Sequence, residues 1–464
     1  VTPAYRRLGD NVRMRHAVTS ADREHRAPTL TERLSRRTRR IVMKRAQRRI
    51  DLSRLDSVPE SLVWPLAREG VSPTPRLAEI RDREPVHRLT SFLGMTIWVV
   101  TGEAECRQVL ADTGAFSNDI RPFVGGDAKG LGGAPGGYIG GLGFTDPPEH
   151  TRLRKLLTPE FTMRRLERLR PHIVRIVDRR LDAVAADLEG PTGIADLVPS
   201  FAFPVPFQVI CELLGLPDDD AATFQELGAA RFDVSAGGVS AFGAMSDSRA
   251  FLMEFTKRQR ADPGDGLIGQ LVRDHGGEID DVELAGLADG VFTGGLETSA
   301  SMLALGAAVL LDHPEHYARV GSDPSVIGVT VEELLRYLTV VQIAFPRFPL
   351  RDLEIGGVRV RQGDVVICHL AAADRDARRG PQMDAFDPTR PVGPHLAFGH
   401  GFHRCVGAEL ARLELQTAFP ALARRFPDLV LASDRLPHRE RSIVFGVESV
   451  PVRRSTTTTG TTPG

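Results

Sequence analysis

Cysteine is scarce: Cys106, Cys211, Cys368 and Cys405 are the four present in 464 residues. So thin a set in so long a chain excludes a disulfide framework, and a reducing cytoplasm is the expected setting. An excess of charge of one sign is lacking too. Lys and Arg number 59 against 60 Asp and Glu, a formal net charge of -1, which gives no basis for a nucleic-acid partner. Long apolar runs are missing: none reaches the roughly 20 residues that a membrane span needs. Nor does the N-terminus combine a basic start, an apolar core and a cleavage site. The chain therefore reads as cytoplasmic, with no membrane span and no internal repeat. What it does have is length and 42% hydrophobic residues, enough for a large core in one or two domains.

Residues 1–50 carry 15 Lys and Arg against Asp10, Asp22, Glu24 and Glu32. Such a block is expected to be a solvated or disordered arm; because residue 1 is Val, a natural start downstream, at Met43, is the simpler expectation. Val86 to Val100 turns strand-like, with β-branched and aromatic residues in Thr96-Ile97-Trp98-Val99-Val100. Glu103 to Leu110 reads as a short helix. Asn118 to Gly143 is a loop holding ten glycines, and loops this long inside a domain are often functional lids. A helix opens after Asp146-Pro147-Pro148. From there to Leu311 the period is mostly helical, in Leu166–Leu188, Phe207–Leu214, Ala221–Phe232 and Ala250–Arg260, with Pro, Gly and Asp clusters between. Strand-like pieces return at Leu353–Val360 and Val365–Leu370. The last residues, 455–464, are Thr/Gly-rich low complexity.

The chemistry concentrates in Phe398-Gly399-His400-Gly401-Phe402-His403-Arg404-Cys405-Val406-Gly407. Gly399 and Gly401 permit a tight turn, and Gly407 admits a close approach. A helix-compatible run, Ala408 to Leu422, follows, so Cys405 sits where a helix N-terminus favours the thiolate. Three readings stand. Cys405 is a buried cysteine in a turn, a zinc ligand with His400 and His403, or a thiolate ligand of haem iron.

Asp280 to Leu311 is the longest helical stretch, about 45 Å at ~1.5 Å per residue. It is apolar nearly all round, so it should be buried. Glu297 is the one charge between Asp289 and Asp312, and an acid there must be paired, neutralised or wet. Gly294 and Gly295 precede it and cost the helix roughly 1 kcal/mol each against Ala, which makes sense if something large presses on that face. The Thr298 hydroxyl can bond back to the helix or face a ligand. Glu333 and Arg336 stand at an ordinary helical ion-pair spacing.

The cysteine run matches, at every defined position, the haem-binding signature Phe-Gly-x-Gly-x-His-x-Cys-x-Gly, and the chain resembles the cytochrome P-450 family from about Val86 to Val452. The resemblance extends to the oxygen-binding helix, where Gly294-Gly295-Leu296-Glu297-Thr298 stands for Ala-Gly-x-(Asp or Glu)-Thr. It also covers the Glu333-x-x-Arg336 pair with Arg390 as third partner. Asp374-Arg375-Asp376 departs from the usual Asn-Arg-Asp.

That resemblance implies a mainly α fold with small β-sheets, the single-domain cytochrome P-450 architecture, over residues 51–454. It implies haem b, iron protoporphyrin IX, with Cys405 as axial iron ligand. His150, Arg154, Arg347 and His403 would hold the propionates, with Phe398 and Gly399 in the cofactor loop. Thr298 and Glu297 would guide protons and water to the bound dioxygen. The implied activity is a haem-thiolate monooxygenase that puts one oxygen atom from dioxygen into a small hydrophobic organic substrate, in secondary metabolism by family habit. Electrons would come from a separate ferredoxin-like or flavodoxin-like donor with its reductase, docking on the Cys405 side near Lys155, Arg164 and Arg412. A peroxide-driven or oxidative-coupling haem-thiolate enzyme, and a non-catalytic haem sensor, are the alternatives.

Overall fold

The structure, a computed structural model, describes residues 60–455 apart from 93–94, 120–141, 218–219, 221–223, 225–237 and 440–441, with side chains of 92 and 238–247 also left aside. The basic arm, the Thr/Gly-rich tail beyond Ser455, the helix expected at Ala221–Phe232 and most of the proposed lid lie outside the described residues.

The helix Asp281–Leu311 is the centre of the fold. Its start is written in the chain: the Asp280 side chain accepts from the Glu283 amide at 2.8 Å, and the Glu283 side chain accepts from the Asp280 amide at 3.5 Å. This reciprocal pair satisfies two otherwise orphan donors. Every residue from Ser299 to Leu311 is buried. Contrary to the expectation that no apolar run is long enough for a span, this is, among the described residues, the one helix long and apolar enough to cross a membrane; 72% of its apolar window is buried inside the protein. It is a core helix. Pro204–Leu214, Gly238–Ala261 and Ala408–Arg425 pack against it. The closest approach comes at Gly306, where an added Cβ would lie 2.5 Å from the Phe419 ring.

The sheets are small. Val365–Cys368 runs parallel to Met95–Val100, which pairs antiparallel with Val86–Phe92. A second sheet orders Leu429–Leu431, Pro451–Arg454 and Ile194–Asp196. The stretch Leu353–Val360 is a hairpin rather than one strand. Gly356 and Gly357 turn it with φ of 52° and 81°, the two positive values that a two-residue primed turn demands. Leu166–Leu188 is likewise split, into Met163–Leu166 and Arg170–Glu189 with a proline in the first turn of the latter, and the helix expected at Ala250–Arg260 begins earlier, at Gly238.

Behind the cysteine loop the structure is tied by one buried ion pair. Arg336 donates through Nε and Nη2 to the two Glu333 oxygens, each at 2.7 Å, while Nη1 reaches the carbonyls of Asp374 and Met383. Arg390 stands 3.6 Å from Glu333, and the Asp387 amide donates to it at 2.9 Å. A rigid bidentate pair with all its donors placed pins the Pro- and Gly-rich stretch that leads into the cysteine loop.

Candidate active site

The cysteine loop is shaped by its glycines. Gly399 and Gly401 both take φ of 69°, a region that favours glycine. At Gly401 a Cβ would also fall 2.5 Å from the Leu110 carbonyl, so the helix Glu103–Ala111 presses directly on the turn. Gly407 is less crowded than the sequence suggests, its nearest contact for a Cβ being Phe161 at 3.8 Å. The Cys405 amide donates to the Phe398 carbonyl at 2.9 Å, which closes the loop. Helix Ala408–Arg425 starts just beyond, with Gly407 as its N-cap.

The thiol corrects one expectation. Cys405 is exposed as a residue, yet enough protein packs around Sγ for desolvation to push the thiol above its ordinary value. The Gly407 amide and the charges of Arg154, Arg404 and Arg412 oppose this without overcoming it. The helix start alone does not yield a free thiolate; a metal bound to sulfur would deprotonate it outright.

Around Cys405 stand the other residues expected to bind a cofactor. The rings of His150 and His403 lie 4.2 Å apart. Burial holds His150 down to about 4 and His403 down to about 3, with neighbouring positive charge adding to both. Neither His150 nitrogen has a hydrogen-bond partner among the described residues. Arg154 donates to the Arg404 carbonyl at 2.6 Å and Arg347 to the Phe345 carbonyl at 2.8 Å. Neither guanidinium has a carboxylate within ion-pair distance among the described residues. A cluster of donors without anions, His150 and Arg347 buried and Arg154 and His403 part-exposed, calls for an anionic ligand.

The zinc reading loses its geometry. Nδ1 of His400 meets Arg107 Nη1 at 3.0 Å, while His403 lies against His150 with the rings tilted by 50°. The described residues bring no three metal-ligating side chains together.

On the long helix, the Thr298 hydroxyl donates back to the Gly294 carbonyl at 2.6 Å. A Cβ on Gly294 would meet nothing within 4 Å, and the same is true of Gly399. Gly295, by contrast, accommodates Ile210, whose Cδ1 would lie 2.9 Å from an added Cβ. One glycine of the pair thus serves helix packing and the other leaves a helix face open. A flat, dianionic macrocycle with a metal at its centre fits this donor set: one thiol, the unpartnered His150 imidazole beside that of His403, two guanidiniums without carboxylates and two open glycine faces.

The comparisons agree. The cytochrome P-450 family profile matches residues 253–452. The chain is 39% identical over 392 residues to cytochrome P-450 FAS1 of Rhodococcoides fascians, covering 83% of this chain and 96% of that one. The chain belongs to the cytochrome P-450 family. It is also 38% identical over 389 residues to the cytochrome P-450 monooxygenase PikC of Streptomyces venezuelae, covering 83% of this chain and 91% of PikC. The solved structure of OxyE, a cytochrome P-450 involved in teicoplanin biosynthesis, superposes with a TM-score of 0.76 at 37% identity, covering 84% of this chain and 99% of that one. The chain is therefore a bacterial-type P-450, an oxidoreductase with monooxygenase activity, and its family implies haem as cofactor.

Three features of this P-450 were not anticipated. Glu297 is ion-paired, its Oε1 accepting from Arg439 Nη1 at 3.0 Å. Arg439 comes from an irregular segment with no local signal to announce it. Glu414, in the helix after Cys405, is buried and pushed up to about 8 by desolvation, with Ser299 as its partner. Its place was legible, since it lies one turn from both Leu410 and Ala418 on the apolar stripe. Arg412 is no free docking cation: it grips Glu332 through two nitrogens at 2.6 and 2.9 Å and Glu409 at 2.9 Å. Lys155 and Arg164 remain exposed.

Proposed function

We propose that this P-450 binds haem b through Cys405 and uses it to insert one oxygen atom from dioxygen into a hydrophobic organic molecule of secondary metabolism. The observation that carries the reading is the convergence of His150, Arg154, Arg347 and His403, all without carboxylate partners, around Cys405. Haem bound there would supply the dioxygen chemistry, with sulfur donating electron density to the iron. The two guanidiniums and the two imidazoles would hold the propionates and orient the ring. Phe398 would pack in the cofactor loop, and Gly399 would give the ring room. Thr298 would hold a proton at its hydroxyl, and Glu297 would take protons up from water and pass them along the helix.

An apolar substrate is supported by side chains that remain half exposed. Phe345, 50% exposed, stands two residues before Arg347 with its ring 4.6 Å from that of Phe144. Ile443, 55% exposed, follows the Arg439 segment. The loop expected to act as a lid ends beside Phe345, whose ring lies against Gly143 and Phe144. PikC and OxyE, by their names a monooxygenase and an antibiotic-pathway P-450, support the reaction class and the metabolic setting. Electrons would arrive from a separate ferredoxin-like or flavodoxin-like donor and its reductase, on the side where Lys155 and Arg164 are exposed.

The test is a reduced, CO-bound absorption spectrum, followed by electron consumption and product analysis with a surrogate donor and reductase. A thiolate-type spectrum with oxygen incorporated from labelled dioxygen supports the reading. Product formed only from added peroxide would favour the peroxide-driven alternative, and a spectrum without turnover of any apolar substrate would favour a sensor.

A further inference from the structure

The long helix carries one charged side chain between Asp289 and Asp312, and a segment more than a hundred residues away reaches over to pair with it. That segment folds back on itself. His438 bridges Val447 antiparallel, the Arg439 amide donates to the Gly446 carbonyl at 2.9 Å, and the Phe445 amide donates to Val340 at 2.7 Å. From this anchored return the Arg439 guanidinium spans one turn of the helix. Nη1 donates to Glu297 Oε1 at 3.0 Å and Nη2 to Ser301 Oγ at 2.9 Å. Positions 297 and 301 share a helix face, so a planar fork can bridge them. Nε has no partner, which leaves the two Nη contacts to hold the group.

Gly446 supplies a second, independent observation. A Cβ there would lie 2.2 Å from Arg439 Nη2 and 2.8 Å from Cζ. The backbone at 446 is not in the left-handed region, so the glycine provides space and not conformation. Any side chain at 446 pushes the guanidinium off the helix.

We propose that Arg439 is a positioning residue for oxygen activation: a two-point clamp that fixes the Glu297 carboxylate next to Thr298, with Gly446 as the space that lets the clamp close. The inference rests on the proton-handling role proposed above for Glu297. Two effects compete at that carboxyl. Desolvation raises it above its ordinary value, and the charge and hydrogen bond of Arg439 oppose this without overcoming it. Among the described residues Arg439 is the charged group paired with Glu297, and Ser301 is the neutral group that shares the fork. Without the clamp desolvation acts unopposed, and the carboxyl rises further. A carboxyl released from the fork is no longer held beside Thr298, so proton supply slows and electrons leave as peroxide.

Haem-loaded Arg439→Gln, Arg439→Lys, Gly446→Ala and Glu297→Gln proteins, each checked by the reduced CO-bound spectrum, test this. Difference infrared spectroscopy follows the Glu297 carboxyl band, identified by its loss in E297Q. In R439Q and G446A the band should titrate at higher pH than in the parent, with R439K close to the parent. Product per electron should fall about tenfold in R439Q and G446A, less than the ~10²-fold typical of losing a general acid outright. The R439Q/E297Q double variant should be no worse than E297Q alone, as coupled residues require. An unchanged infrared titration in R439Q, or additive losses in the double variant, overturns the clamp. If R439Q does not accumulate as folded protein, G446A, which retains the charge, decides by the same readings. A parent without the thiolate CO spectrum would instead sink the haem-thiolate reading, and infrared titration of the apoprotein would still decide the clamp.

Discussion

Cys405 illustrates how little a single residue determines alone. Its thiol is raised by burial despite three nearby guanidiniums, and a metal bound to the sulfur would take the proton's place. Cys405→Ser replaces that sulfur with a poor iron donor; the CO-bound spectrum should lose its thiolate form and turnover should vanish, and a variant with a normal spectrum would show that another residue ligates. Thr298 differs, because its hydroxyl already bonds its own helix at Gly294 and need not support the fold. Thr298→Ala should keep haem content and divert electrons to peroxide, with product per electron falling ~10²-fold or more. Equal coupling in parent and variant would point to the peroxide-driven alternative. The residues expected to hold haem could be named from the chain because short motifs fix their spacing. Arg439 was not, because its pairing with Glu297 spans 142 positions and no local pattern encodes it.

Among the elements, the long helix was the most legible, since its capping box, length and apolar faces all lie in contiguous sequence. Elements split by glycine or proline were less so. Gly356-Gly357 lies inside what reads as one β run, and only the positive φ values reveal the turn. The packing of helix on helix was not legible at all, and it makes a prediction. Gly306→Ala should improve intrinsic helix propensity by ~1 kcal/mol. The new Cβ would sit 2.5 Å from a Phe419 ring that is itself 1% exposed. Overpacking of this kind costs about 1–3 kcal/mol, so the substitution should lower the urea midpoint despite the propensity gain. A raised midpoint would mean that Phe419 can move. Arg336→Lys tests the buried pair in the same way. Lysine cannot reproduce the bidentate contact or reach the three carbonyls that Arg336 serves. Breaking a buried pair costs about 3–5 kcal/mol, so little haem-loaded protein should accumulate.

For the whole molecule, stability against pH is set by groups buried in the wrong charge state for water. His369 is fully buried, its Nε2 2.7 Å from the Pro65 carbonyl and its Nδ1 accepting the Ala372 amide. Burial holds it down from 6.5 to about 4. Its contribution is therefore present above pH 6.5 and is lost as the pH falls to about 4, because the unfolded chain takes up a proton that the folded one refuses. Glu414 acts in the opposite sense. Desolvation raises it from 4.5 to about 8, so folding is unhindered below pH 4.5 and loses stability as the pH rises to about 8, where the unfolded chain sheds a proton that the folded one keeps. Each unit of such a shift corresponds to ~1.4 kcal/mol, so Glu414 alone should cost a few kcal/mol across that window. Glu414→Gln keeps the shape and cannot ionise. Urea titrations of parent and variant at pH 5 and pH 8 isolate the effect, because every other group cancels in the difference. The variant should gain on the parent by a few kcal/mol between the two pH values, whatever its absolute stability. A gap between parent and variant that does not change with pH would mean that Glu414 ionises as freely in the folded protein as in the unfolded chain, with water reaching the Oε2 that has no protein partner.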